Sequence, residues 1–187
     1  MSRFTTPFGF HSTASEVIAG VNLAGKRAII TGGAAGIGIE TARALSAAGA
    51  AITLAVRRPD AAESAAEELR RSTGNPTIDV RYLDLSDLYS VRAFITAWKG
   101  PLHILVNNAG IMALPKLERS PEGWEIQFAT NFLGHFALTW ALHNALGLIA
   151  QHQTRRPAES DPDRTVMYDR LLAYERPIAE HLCASGV

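Results

Sequence analysis

A glycine-rich segment between an apolar run and a helical pattern constrains this chain more than any other feature. Residues 31–38 read Thr-Gly-Gly-Ala-Ala-Gly-Ile-Gly and follow the apolar run 28–30. A strand, a glycine turn and a helix in this order bring backbone N–H groups and the positive end of a helix dipole to a pyrophosphate. Side chains at Gly32, Gly36 or Gly38 would hold the phosphates away or block helix–strand packing. Together with Ile37, which opens the helix, these glycines predict a dinucleotide-binding turn.

The end of the second predicted strand carries two arginines, Arg57 and Arg58, about 21 residues after Gly36. In this arrangement an acidic residue at that point accepts hydrogen bonds from a ribose 2′-hydroxyl, whereas arginine binds a 2′-phosphate. A guanidinium matches a phosphate in both geometry and charge. Arg57 therefore favours NADP over NAD. The alternative is a solvated arginine pair in front of a helix.

The third predicted strand ends in Asp84-Leu85. Parallel strands place their carboxyl ends at the edge of the sheet where ligands bind, and Asp84 is expected near an adenine. A carboxylate there can accept a hydrogen bond from the adenine amino group. The alternative is that Asp84 is a loop residue leading to a helix capped by Ser86.

The fourth predicted strand ends in residues 107–110, Asn-Asn-Ala-Gly. Side chains such as Asn108 can tie neighbouring loops together at this edge of the sheet. Small residues at Ala109 and Gly110 allow a cofactor to approach the backbone closely. An ordinary turn is the alternative, and the upstream glycine segment makes the cofactor interpretation the better one.

Strand and helix patterns alternate along the first part of the chain, which predicts an α/β fold with a Rossmann-type doubly wound parallel sheet. We expect residues 1–150 to form a partial NAD(P)-binding domain. Residues 151–187 contain three prolines and many charges, and we expect a divergent, poorly ordered tail there. The predicted strands are 27–31, 51–56, 77–83 and 102–106, and the predicted helices are 13–19, 37–48, 60–71, 86–98 and 121–148, the last capped by Ser120.

Composition narrows the choice of partner and compartment. The 18 basic and 18 acidic residues balance, so nucleic acid and an anionic membrane surface are not expected as partners. No apolar run approaches the length of a membrane span, and no cluster has metal-ligand spacing. The single cysteine, Cys183, is compatible with a reducing compartment, and we expect a cytoplasmic protein.

Taken together, these motifs resemble the short-chain dehydrogenase/reductase family. Residues 31–38 are similar to its TGxxxGIG pattern, residues 107–110 to its NNAG pattern, and Asp84-Leu85 to its adenine-contacting pair. Asn131, in the sequence Thr-Asn-Phe-Leu-Gly-His-Phe, resembles its catalytic asparagine. This last segment is especially similar to the retinol-dehydrogenase-like branch. The resemblance covers roughly residues 12–146.

The resemblance implies hydride transfer between NAD(P)(H) and a small alcohol or carbonyl compound. In the family a tyrosine is the acid–base, a neighbouring lysine lowers its pKa, a serine orients the substrate, and the asparagine anchors a proton-relay water. Only Asn131 is assigned here, because no lysine follows Lys116. We expect a chain truncated before the serine and Tyr-xxx-Lys motifs, with impaired activity. The alternative is a non-catalytic NADP(H)-binding remnant or sensor protein.

The same resemblance implies that a fifth strand should cover the fourth. Without it, the fourth strand is an open edge, which can pair with another chain. We therefore expect a homo-oligomer or an edge-strand association.

Overall fold

The computed structural model describes residues 6–143 and 145–146. Within these residues the chain divides into two compact units, one drawn from Met1–Arg81 and His103–Asn108 and the other from Tyr82–Leu102 and Ala109–Val187. The tail predicted over residues 151–187 lies outside the described residues. Among the described helices, none is both long enough and apolar enough to cross a bilayer.

The first unit is built on a parallel sheet. Its strands are β1 (Arg27–Thr31), β2 (Ala51–Val56), β3 (Ile78–Tyr82) and β4 (Ile104–Val106). β1 pairs in parallel with both β2 and β4, and Ala28 stands opposite Ile52 on one side and Ile104 on the other. The strand order is β3-β2-β1-β4, as in a Rossmann-type sheet, which confirms the predicted fold class. Within the described residues β3 and β4 are the two edge strands.

Three helices of the first unit begin and end where their sequences indicate. α1 (Ala14–Ile18) has the capping box at Thr13, whose N–H donates to Glu16 Oε2 at 2.7 Å and whose Oγ1 accepts from Glu16 N at 3.2 Å. α2 (Gly36–Ala47) is followed by Gly49 at φ 95°. α3 (Pro59–Thr73) has proline in its first turn and ends at Gly74, which is left-handed at φ 69°, as helix C-termini favour.

One face of the sheet carries the hydrophobic core of this unit. Alternate residues of a strand share a face, and those on this face are aliphatic. Ile29, Thr53 and Ala55 alternate with them and are buried as well, as parallel strands generally are on both faces. The core consists of Ala28, Ile30, Ala42, Ala50, Ile52, Leu54, Val56, Ala62, Ala66, Leu69 and Ile78.

In the second unit, α4 spans Leu88–Ala97. It begins one residue later than a helix capped by Ser86 would begin. Asp87, not Ser86, is the N-cap: its Oδ1 accepts from Tyr89 N at 2.8 Å and from Ser90 N at 3.3 Å. Ser86 is instead tied to Asp84, because its N–H and its hydroxyl both donate to Asp84 Oδ1. The prediction of a Ser86 cap is therefore wrong, although the helix itself is present.

The long helix predicted from Pro121 does not begin there. Residues 120–123 form a β-turn in which Gly123 N donates to Ser120 O at 2.9 Å, and Gly123 has φ 89°. Ser-Pro-Glu-Gly is a typical type I turn sequence, with proline second and glycine fourth. The sequence therefore contained a turn pattern as well as a proline that is compatible with a helix start, and the turn pattern is the one that the chain follows.

The helix that follows is continuous but changes pitch. α5 (Ile126–Phe128) is capped by Glu125, whose carboxylate accepts from Gln127 N at 2.9 Å and Phe128 N at 2.7 Å. These hydrogen bonds lower the pKa of Glu125. A π-helical turn (Ala129–Leu133) comes next, and α6 (Gly134–Leu142) completes the helix. The insertion of a wider turn could not be inferred from hydrophobic periodicity.

Gly134 opens α6 at a point where backbone approaches backbone. A Cβ at this position would overlap the carbonyl group of Leu85 and lie 2.9 Å from the Leu85 Cβ. Because the obstacle is mostly main chain, no side-chain rotation can relieve it. Only glycine allows the helix to lie this close to the loop after β3.

We expect Gly134→Ala to destabilise the protein by about 1–3 kcal/mol, the usual cost of overpacking. Intrinsic helix propensity predicts the opposite, a gain of about 1 kcal/mol for alanine over glycine. Chemical denaturation followed by far-ultraviolet circular dichroism measures the difference. Gly9→Ala, in the segment before α1, is the control for adding a methyl group in open space, because nothing lies within 4 Å of a Cβ placed there. A Gly134→Ala variant as stable as the control would contradict the close approach.

Candidate functional site

The glycine turn of the first unit leads from β1 into an uncapped helix. Gly32 and Gly36 are left-handed, with φ 63° and 56°. Ala35, the N-cap of α2, offers no side-chain hydrogen bond, so the N–H groups of the first turn have no side-chain cap. Ile37 in that turn is 81% exposed. This is the open, electropositive helix end that the sequence predicted.

Gly38 explains why the third glycine is needed. A Cβ there would lie 2.5 Å from the Gly32 carbonyl oxygen and 2.6 Å from Asn108 Nδ2. Both distances are far inside van der Waals contact. The helix can therefore approach the end of β1 only with glycine at this position, as the sequence interpretation required.

Asn108 joins the end of β4 to the glycine turn. Its backbone N–H donates to Thr31 Oγ1 at 2.9 Å, and its Nδ2 donates to Thr31 O at 2.9 Å and to Gly32 O at 3.4 Å. These contacts fix the carbonyl groups at the start of the turn. The predicted role of Asn108 as a tie between neighbouring loops is confirmed.

Arg57 and Arg58 stand beside the turn. A cleft of about 260 Å³ is lined by Gly32 and Ala35 of the turn, by both arginines and by Ala61 of α3. Both arginines are exposed, and neither forms an ion pair with another residue of the described part of the chain. The end of β2 thus presents positive charge to the same cleft as the glycine turn.

In the second unit, Asp84 and Leu85 form a closed loop after β3. Asp84 Oδ1 accepts from Ser86 N at 2.9 Å and from Ser86 Oγ at 2.6 Å, and Asp84 N donates to Ser90 Oγ at 2.9 Å. Leu85 is buried. Asp84 therefore stabilises the loop, as the alternative interpretation predicted, and it does so through one carboxylate oxygen, Oδ1. An adenine contact through the other oxygen stays a prediction.

Asn131 lies in the π-helical turn and clamps one residue of the loop after Gly110. Its Oδ1 accepts from Ile111 N at 2.8 Å, and its Nδ2 donates to Ile111 O at 2.7 Å. A Cβ at Gly110 would lie 3.4 Å from Asn131 Oδ1, an ordinary van der Waals distance, so this contact does not by itself require glycine. The structure brings Asn131 and Gly110 together, with Ala109 adjoining in the chain.

Two further side chains around Asn131 were not identified from the sequence. Gln127, one turn earlier, accepts from Ala113 N at 3.0 Å, and Ala113 is left-handed at φ 57°. His135 is buried, and its Nδ1 lies 3.1 Å from Asn131 O. Burial lowers the pKa of His135. The i, i+4 spacing of residues 127 and 131 was visible in the sequence, but their hydrogen bonds to the 110–113 loop were not.

The described part of the chain contains no group of three or more His, Cys, Asp or Glu residues able to hold a metal ion. The candidate residues of the first unit therefore form a glycine turn beside an arginine-lined cleft, and those of the second unit form a loop clamped by Asn131. Open backbone N–H groups, two exposed guanidinium groups and fixed amides can bind phosphates and polar organic groups.

Comparison with known proteins agrees with this geometry. The model of the short chain dehydrogenase family matches residues 26–155. A probable oxidoreductase of Streptomyces antibioticus is 56% identical over 126 residues, which cover 67% of this chain and 42% of the relative. Retinol dehydrogenase 12 of Homo sapiens is 46% identical over 133 residues, covering 70% and 42%.

A solved structure gives the same result for the fold. The crystal structure of a metagenomic short-chain oxidoreductase in complex with NADP superposes with a TM-score of 0.57 at 29% identity, covering 66% of this chain and 57% of that one. The matched part of the chain spans less than half the length of the two curated relatives. The family resemblance of the motifs is thus confirmed: the chain belongs to the short-chain dehydrogenase family.

Proposed function

We propose that this chain binds NADP(H) as part of an oxidoreductase acting on a small alcohol or carbonyl compound. One observation carries the proposal: the uncapped N-terminus of α2 and the exposed Arg57 and Arg58 stand around one cleft. Backbone N–H groups at a helix start suit a pyrophosphate, and arginine suits an additional phosphate. NADP carries both, whereas NAD lacks the 2′-phosphate. The related metagenomic oxidoreductase was solved with NADP.

The residues present fit such a cofactor. Gly32, Gly36 and Gly38 would leave the pyrophosphate free access to the helix end, and Ile37 would contribute an N–H of its first turn. Arg57 would hold the 2′-phosphate. The nicotinamide of a bound cofactor supplies or accepts a hydride.

Residues after β3 and β4 would contact the rest of the cofactor. We propose that Asp84 and Leu85 lie beside the adenine, and that Ala109 and Gly110 allow the ribose side to approach the backbone. The loop that continues from Gly110 is held by Asn131 on both sides of Ile111. We therefore propose that Asn131 keeps the loop in place for a substrate or a water molecule.

Binding without turnover is the second candidate function. The sequence has no lysine after Lys116 to lower the pKa of a tyrosine. An unperturbed tyrosine, with a pKa of about 10, is a poor base near neutrality. A cytoplasmic location stays a prediction that depends on cysteine usage.

We expect Arg57→Ala to weaken NADPH binding about 10- to 100-fold, the effect of about 1.5–3 kcal/mol for a hydrogen bond to a charged group. NADH affinity should stay within about 2-fold, because NADH has no 2′-phosphate. Isothermal titration calorimetry measures both. Arg92→Ala removes an exposed arginine of α4 and serves as the control. Equal loss of NADPH and NADH affinity would refute the 2′-phosphate contact.

We expect Gly36→Ala to abolish NADPH binding. The matched control is Gly74→Ala, because both glycines are left-handed and a Cβ added at either would have no atom within 4 Å. Both substitutions therefore introduce the same backbone strain, about 1–2 kcal/mol. Only Gly36 belongs to the glycine turn between β1 and α2. Titrating both variants with NADPH, alongside their denaturation curves, separates the two effects. An unchanged Gly36→Ala titration would refute the pyrophosphate position.

A turnover assay distinguishes the oxidoreductase from the binding-only function. Purified chain is incubated with NADPH and a panel of aldehydes and ketones, or with NADP and alcohols, and absorbance of the reduced nicotinamide is followed. We expect saturable NADPH binding with turnover close to the no-enzyme rate, because the tyrosine–lysine pair is missing from the sequence. Robust turnover that Gly36→Ala removes would instead establish the chain as a competent enzyme.

A further inference from the structure

The second face of the parallel sheet, opposite the hydrophobic core of the first unit, carries polar side chains. Alternate residues of a strand share a face, so the neighbours in sequence of the core residues Ala28, Ile52 and Ile78 lie on the other side of the sheet. Parallel strands that are covered on both faces are usually apolar on both. Here the second face has charged and hydroxyl groups, which belong to Arg27 of β1, Thr53 of β2, and Asp79 and Arg81 of β3.

These four residues line a cleft of about 300 Å³, which we call the second-face cleft. The volume is at the lower end of the range for small-molecule pockets. The second-face cleft shares no described lining residue with the cleft beside the glycine turn, so it is a separate feature of the first unit. Its remaining lining residues are Ala51, Ile52, Pro76, Thr77 and Ile78.

Thr53 brings a buried hydroxyl to this cleft. The residue is 6% exposed, and its hydroxyl forms no hydrogen bond with another residue of the described part of the chain. A buried hydroxyl is destabilising unless a hydrogen-bond partner satisfies it. Because Thr53 lines the cleft, an acceptor atom of a bound molecule can be that partner.

The arginines give the second-face cleft a surplus of hydrogen-bond donors and of positive charge. Asp79 Oδ2 accepts from Arg81 Nε at 2.7 Å, which uses one of the five N–H groups of that guanidinium. An arginine that already has a partner can therefore bind a second acceptor, and its fork of N–H groups matches a carboxylate. Two arginines and one carboxylate line the cleft, which gives these residues a net charge of +1. This charge favours a ligand with a single negative charge.

We propose that the second-face cleft binds a small organic monocarboxylate. The carboxylate accepts hydrogen bonds from the Thr53 hydroxyl and from the Arg27 guanidinium, and the carbon body of the ligand lies against Ala51 and Pro76. A neutral ligand would not match the charge of the cleft. This inference goes beyond the NADP(H)-binding function and does not depend on it.

Isothermal titration calorimetry of the full chain with sodium benzoate tests the proposal. Benzamide is the matched probe, because it has nearly the same shape and no charge. We expect a Kd of about 1 mM for benzoate, as suits so small a ligand, and binding of benzamide that is at least about 10-fold weaker.

Variants of Thr53 test the hydroxyl. Thr53→Val keeps the shape of the side chain, so it should lower benzoate affinity about 10-fold without lowering stability in chemical denaturation, because no described residue loses a hydrogen bond. Thr53→Ser retains the hydroxyl and should keep the affinity within about 3-fold. The control Thr96→Val removes an exposed hydroxyl of α4 and should leave Kd within about 2-fold.

Arg27→Gln tests the charge. It should weaken benzoate binding at least about 10-fold and leave benzamide binding unchanged, because only benzoate is an anion. Benzoate that binds no more tightly than benzamide overturns the proposal, as does an affinity that both Thr53→Val and Arg27→Gln leave unchanged. A loss of benzoate affinity in Arg57→Ala but not in Arg27→Gln would place the anion beside the glycine turn and overturns the proposal as well.

Discussion

The close approach of α2 to the end of β1 is the constraint on which the first unit depends. Gly38 leaves no room for a Cβ between the Gly32 carbonyl and the Asn108 amide. Asn108 in turn holds the carbonyls of Thr31 and Gly32. One glycine and one asparagine thus fix the turn between strand and helix, and that turn leaves the helix end open. The cofactor cradle proposed above is a consequence of this backbone packing.

In the second unit a glycine again allows a helix to lie close to a neighbouring main chain. Gly134 lets α6 approach the main chain of Leu85, and the π-helical turn just before it carries Asn131. Because the amide of Asn131 holds Ile111 through both its oxygen and its nitrogen, the loop after Gly110 is set by the helix and not by its own sequence. Gln127 adds a further hydrogen bond at the left-handed Ala113. Amide side chains on successive helical turns therefore shape the loop next to the family's NNAG motif.

Much of the fold was predictable because its signals are local. β1 and β2 have their predicted bounds, because a short apolar run flanked by glycine and polar residues indicates clearly where a strand begins and ends. The Thr13 capping box was correct for the same reason. The errors fall where two local signals compete. At residues 84–87 two acceptors stand close to a helix start, and Asp87 caps it while Asp84 binds Ser86. Pro121 is compatible with both a β-turn and the first turn of a helix. The left-handed Gly123 is compatible only with the turn.

The sequence by itself determined the order of strands and helices, the glycine turn and the arginines that follow β2, because spacing and residue type carry that information. Only the tertiary structure decided what these residues touch. Asn108 reaches Thr31 across 77 positions of sequence, and Asn131 reaches Ile111 across 20, because chain folding and not local propensity brings them together. The 52% exposure of Trp140 could not be inferred from the sequence either, because the buried face of a helix is known only once its packing partners are in place.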